Sequence, residues 1–161
     1  MSSLHNQLEV SLEQMMPLFR QQLEQGGRVR FGPKGTSMMP MLRQGTDTVE
    51  LAPLPEKLKK YDLPLYQRDD GQYVLHRIVK AGDTYTCIGD NQFQLEPGVR
   101  QDQMIAVVSA FYRDQTRWEV TAWQYWLYCR YWHYSRPIRR TWLAVKARLR
   151  RLIKNKKCRL W

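Results

Sequence analysis

Three short stretches of this 161-residue chain hold residue types able to do chemistry together. Gly35-Thr36-Ser37-Met38-Met39-Pro40-Met41-Leu42 sets a serine in a turn among bulky apolar neighbours. Leu75-His76-Arg77-Ile78-Val79 carries a histidine, and Gly89-Asp90-Asn91 a carboxylate. A serine hydroxyl attacks an acyl carbon only when a base removes its proton as the bond forms. A neutral imidazole suits that task because its pKa lies near working pH, and it needs an acceptor to fix its tautomer and stabilise its cation. Ser37 as nucleophile, His76 as general base, and a carboxylate near Asp90 as the orienting group fill those roles. The Ser37 backbone N–H is the first candidate oxyanion donor, with Gly35 and Met38 bordering the oxyanion and substrate groove. Gly35 permits close approach to a bound substrate, and Pro40 stiffens the segment after the serine.

Each residue also has a plainer reading. Ser37 can be a turn residue, His76 a satisfied strand histidine, and Gly89-Asp90-Asn91 an ordinary turn. Lys57, Lys59 and Lys60 offer an alternative lysine base, but their spacing reads as a solvated loop. Arg77 alternates to the strand face opposite His76, where a salt bridge and a substrate-groove role are both open.

The elements that must position these residues follow from periodicity. Leu4, Leu8, Leu12, Met15, Phe19 and Leu23 form one helical stripe, with Ser2 or Ser3 as its cap, Gly26-Gly27 as its end and Pro17 as an expected kink or break. From Arg28 to about Val120 the pattern changes to short runs rich in Val, Ile, Tyr and Thr. Strands are predicted over Val29–Phe31, Thr48–Leu51, Leu65–Arg68, Tyr73–Lys80, Thr84–Ile88, Met104–Arg113 and Arg117–Val120. Asp70-Gly71 and Gly82-Asp83 are hairpin signals, and Met-Ile-Ala-Val-Val over 104–108 marks the most buried strand. The expected fold is mainly β: a compact antiparallel β barrel with an N-terminal amphipathic helix and C-terminal aromatic and basic helices. The corresponding domains are 1–27, 28–120 and 121–161.

Charge divides the chain sharply. Residues 1–129 hold 14 Lys/Arg against 15 Asp/Glu, whereas residues 130–161 hold 12 Lys/Arg and no acid, so the pI of about 9.8 belongs to the tail. Trp118, Trp123, Tyr125, Trp126, Tyr128, Tyr131, Trp132 and Tyr134 crowd the segment before it. A second helical stripe then runs through Ile138, Trp142, Val145, Leu149 and Leu152. Basic helix and aromatic belt together suit an anionic membrane surface; packing on the body and nucleic-acid binding are the less favoured partners for 121–161. Cys87, Cys129 and Cys158 are odd in number and scattered, as are His5, His76 and His133, so neither a disulfide framework nor a metal site is expected, and no cofactor. No signal peptide or spanning segment is apparent, which implies a cytoplasmic protein lying peripherally on the inner membrane face.

Gly35–Leu42, Tyr73–Val79 and Gly89–Asn91 resemble the conserved boxes of the signal peptidase superfamily, which also holds the LexA-like self-cleaving proteins. The likeness spans residues 28 to 113, and the histidine in Leu75–Val79 is similar to the archaeal and endoplasmic-reticulum branch. It implies a serine peptidase cleaving a peptide or leader, with Ser37 as nucleophile, His76 as base and Asp90, preferred over Glu96, as third member. It also implies a groove that accepts an extended peptide by strand addition. Departures are visible. Relatives follow the serine box with Gly-Asp-x-Val, whereas this chain has Gly45-Thr46-Asp47-Thr48-Val49, and Gly35 stands where some relatives carry an oxyanion serine. Two alternatives are a non-catalytic module holding a peptide or partner protein in the same groove, and a LexA-like regulator. The latter needs a helix-turn-helix ahead of the β unit, and residues 1–27 offer only one broken helix.

Overall fold

The computed structural model describes residues 12–158. In chain order the elements are α1 (Leu12–Glu24), β1 (Val29–Phe31), β2 (Thr48–Ala52), β3 (Pro64–Gln67), β4 (Tyr73–Leu75), β5 (Arg77–Lys80), β6 (Tyr85–Ile88), β7 (Glu96–Val99), β8 (Met104–Arg113), β9 (Thr116–Glu119), α2 (Trp123–Tyr134) and α3 (Arg136–Cys158). They fall into two compact units that divide between Thr121 and Ala122.

In the first unit the apolar run at 104–108 opens the longest strand, β8, and everything else is arranged around it. Six strands form one antiparallel sheet in the order β1-β2-β8-β3-β4, with β9 pairing to the far end of β8. A second antiparallel sheet is β5-β6-β7. Tyr66 and Met104 from the first sheet pack against Ile78, Tyr85, Cys87 and Val99 of the second, closing one core between them. Helix α1 belongs to this unit. Met16, Phe19 and Leu23 are buried on one face, and the Phe19 ring meets that of Phe31 at 5.8 Å. Residues Ser2, Ser3, Leu4 and Leu8 of the expected stripe lie outside the described residues.

Three expectations are corrected. The architecture is mixed, with antiparallel sheets and three helices, and the sheets do not close into a barrel. Tyr73–Lys80 is two strands rather than one: β4 pairs with β3 in the first sheet, β5 with β6 in the second, and the chain crosses between sheets at His76. Helix α1 is continuous through Pro17 rather than broken there; Pro17 is exposed, so the carbonyl that its missing N–H leaves unpaired faces water rather than the core.

The second unit contains α2 and α3. Backbone hydrogen bonds from Ser135 N to Tyr131 O and from Arg139 N to Ser135 O carry the helical pattern across the junction. Among the described residues no helix is long and apolar enough to cross a membrane.

Candidate active site

Ser37 lies half-buried in a turn that the chain secures from both sides. Gly35 enters it with φ +92, a left-handed conformation that favours glycine. Met38, Met41 and Leu42 are buried beneath it, while Met39 and Pro40 are exposed. Asn91 donates its backbone N–H to the Ser37 carbonyl at 2.8 Å and its side-chain amide to the Thr36 carbonyl at 3.3 Å. Gly89 abuts the same carbonyl so closely that a Cβ there would stand 2.7 Å from the Ser37 oxygen and 3.0 Å from its Cβ. On the far side the Arg113 guanidinium donates to the Pro40 and Met41 carbonyls. Asp47, fully buried, holds Arg113 and Arg43 together, and the Arg43 bonds help keep its carboxyl below the usual range although burial alone would raise it.

His76 is buried at the sheet-to-sheet crossing. Its Nδ1 faces the Tyr66 hydroxyl at 3.4 Å and the Glu96 carboxylate at 3.5 Å, both at the outer edge of hydrogen-bonding reach. The Tyr66 hydroxyl donates to Glu96 Oε2 at 2.8 Å, and Arg68 grips Glu96 with a bidentate pair at 2.6 and 2.7 Å. Burial lowers the His76 pKa below its ordinary 6.5, partly opposed by the negative charge of Glu96, so the ring is neutral at neutral pH. Burial alone would raise Glu96, but the Arg68 hydrogen bonds and the Tyr66 hydroxyl outweigh it and hold the carboxyl low and ionised. The Tyr66 hydroxyl is pushed up by burial and by Glu96, so it remains a donor.

Ser37 and His76 line one cleft of about 180 Å³, together with Gly35, Met38, Leu42, Lys34, Arg68, Gln92 and all of β4. Gly35 and Met38 border this cleft beside Ser37. Lys57, Lys59 and Lys60 are exposed on the loop before β3 and do not line this cleft.

The two candidate carboxylates have separate surroundings. Asp90, preferred from sequence, is fully buried and engaged by Arg77 at 2.9 and 2.7 Å, whereas Glu96 is the carboxylate beside the imidazole. The preference for Asp90 is thus corrected on geometry. Arg77, on the face opposite His76, reaches back to occupy Asp90, and its guanidinium also bonds Met41 Sδ and the Tyr61 carbonyl. Gly89-Asp90-Asn91 acts as a brace, with Asn91 on the serine turn and Asp90 on the residue next to the histidine.

Tyr66, Arg68, Asp47 and Arg113 were absent from the sequence reading of the site. A signal existed for two of them: Tyr66 and Arg68 sit two apart in a predicted strand and so share a face. Nothing local links Asp47 to Arg113, 66 residues away. Among the described residues no cluster of three or more His, Cys, Asp or Glu could hold a metal. Comparison with family models, with curated proteins and with solved structures gives no match for this chain.

Proposed function

We propose that the protein is a serine endopeptidase of signal-peptidase-like kind, built on two packed antiparallel sheets and cleaving a peptide or leader. One observation carries this reading: Ser37 and His76, from separate elements, border the same cleft, and an ionised carboxylate stands behind the histidine. With Nδ1 turned towards Tyr66 and Glu96, Nε2 is the ring nitrogen left for the serine. Nε2 takes the Ser37 proton as Oγ bonds to the substrate carbonyl carbon. The Ser37 N–H donates to the developing oxyanion, and the imidazolium returns its proton to the leaving amine as the peptide bond breaks. Water, deprotonated by the same nitrogen, then releases the acyl group. The long Nδ1 contacts suit a site that tightens when substrate is bound.

Strand β4 is the edge of its sheet and lines the cleft along its whole length. An extended peptide can therefore pair with its free backbone groups. Mixed lining, with Met38, Leu42, Val74 and Leu75 beside Lys34 and Gln92, suits a polypeptide better than a small apolar ligand.

The test incubates purified protein with peptides bearing small residues about the cut, reading products by mass spectrometry. Wild type cleaves; Ser37→Ala and His76→Ala lose about 10³-fold or more of that rate. A serine-directed fluorophosphonate labels Ser37 in wild type and not in His76→Ala. Equal cleavage by wild type and Ser37→Ala overturns the reading and leaves a peptide-holding module.

A further inference from the structure

The proposed peptidase chemistry uses nothing beyond Thr121, and the second unit has features of its own. On α2 the residues Trp123, Trp126, Leu127, Tyr131 and Tyr134 recur at helical spacing along one side, and they are 67%, 49%, 48%, 67% and 64% exposed. Cys129, on the opposite side, is buried, so the exposed rings gather along one side of α2. On α3, Ile138, Trp142 and Val145 follow the same periodicity at 71%, 66% and 51% exposure. An apolar face of this extent open to water marks a binding surface.

Charge identifies what the surface binds. No Asp or Glu follows Glu119, and residues 130–161 carry 12 Lys/Arg. A second copy of the unit would bring like charges together, whereas a polyanion would neutralise them. Residue type then selects among polyanions. Nucleobases stack on rings, but Leu127, Ile138 and Val145 offer them no stacking partner. A bilayer interface accepts rings at headgroup depth and aliphatic side chains just below, while Lys and Arg meet lipid phosphates. Arg130, itself exposed within this stripe, lies 4.2 Å over the Trp126 ring, so a cation accompanies the rings at the face.

We propose that α2 and α3 form a docking surface for an anionic lipid bilayer, lying in the interface plane with their Trp and Tyr rings inserted and their basic residues on lipid phosphates. Each Lys or Arg close to such a leaflet strengthens binding by roughly fivefold, so a few of the twelve suffice. This inference does not depend on Ser37 being a nucleophile.

The test is flotation of the full chain with phosphatidylcholine vesicles, with and without phosphatidylglycerol, at low and high salt. Binding to the anionic vesicles is expected to be at least about 25-fold tighter, to weaken with salt, and to bring a blue shift of Trp emission with quenching by brominated acyl chains. Replacing exposed Arg140 and Lys146 by Gln should weaken binding by roughly 25-fold. Trp123→Ser with Trp126→Ser should remove most of the α2 contribution and leave the quenching that Trp142 on α3 supplies, and urea unfolding of both variants verifies that the body is intact. Equal affinity for neutral and anionic vesicles, absence of quenching in wild type, or tighter retention on DNA or RNA than on vesicles at matched salt each overturns the proposal. So does a dimer that buries the Trp face and leaves lipid unbound.

Discussion

Arginine is used in opposite ways by the two units. In the first, Arg28, Arg43, Arg68, Arg77, Arg100, Arg113 and Arg117 each meet a carboxylate, and the pairs at Arg77–Asp90 and Arg113–Asp47 reach into the core. In the second there is no acid to meet, and Arg130 and Arg139 lie over the Trp126 and Trp132 rings instead. Burying a charge is tolerable only where partner and hydrogen bonds replace water, so in the body charge does the work of a tie between distant segments. In the tail Arg130 and Arg139 meet aromatic rings where the body's arginines meet carboxylates. Net charge alone conceals this contrast.

If the body's ion pairs are ties, cutting one should be costly. The largest expected effect is at Asp90→Ala, which strands the Arg77 guanidinium in a site 2% exposed and should cost about 3–5 kcal/mol in urea unfolding. Pairing Asp90→Leu with Arg77→Met should recover most of that loss, because two apolar side chains need no compensation. A loss under about 1 kcal/mol in the single variant would show that water reaches the pair and that the brace is not a core element.

The next effect is on chemistry rather than stability. Tyr66→Phe keeps the ring in the core but removes the hydroxyl shared by Glu96 and Nδ1, and a hydrogen bond to a charged group is worth about 1.5–3 kcal/mol. A fall in kcat/KM of roughly 10- to 100-fold, with KM little changed and the acid limb of the pH profile displaced, is expected. An unmoved pH profile would make Tyr66 a packing residue only.

Legibility in the sequence followed the same division between local and distant causes. Val29–Phe31 and Met104–Arg113 were readable to the residue because β-branched and aromatic runs bounded by turn residues suffice to define a strand. The crossing at His76 was not, since the side-chain pattern is continuous while the pairing partner changes. Strand β7 was missed because Pro97 and Gly98, the latter at φ +78, argue for a loop; at the edge of its sheet a strand tolerates both. That omission also hid why Glu96 matters: β7 pairs with β6, placing Glu96 opposite Cys87 and bringing its carboxylate to the histidine. The boxes pointed to Ser37 and His76, which the fold brings to one cleft, yet an Asp in a box says nothing of which cation claims it. Asp90 and Glu96 could be told apart only once Arg77 and Arg68 had been assigned to them.

Acidification probes the desolvated histidine of the body. His76 is held below its ordinary 6.5 by burial, so in the unfolded chain it takes up a proton near pH 6.5 while the folded protein resists until lower pH. Unfolded molecules then bind more protons, stability rises with pH through that window, and it is lost as pH falls from 6.5 through the folded value. His76→Gln should flatten this part of the curve in urea unfolding at stepped pH. Glu96, held low by Arg68, adds a further loss below its ordinary 4.5. A wild-type curve as flat as that of the variant would mean that the ring is solvated and the desolvation reading wrong.

The smallest effect sharpens the contrast from the other side. Arg140→Gln with Lys146→Gln removes two exposed cations that no carboxylate of their own unit can reach, so stability should move by no more than about 0.5 kcal/mol. Peptide cleavage in detergent-free buffer without lipid should be unchanged. If these substitutions instead destabilise the chain as Asp90→Ala does, the tail's charge is structural after all. The two units would then differ in composition but not in what their arginines are for.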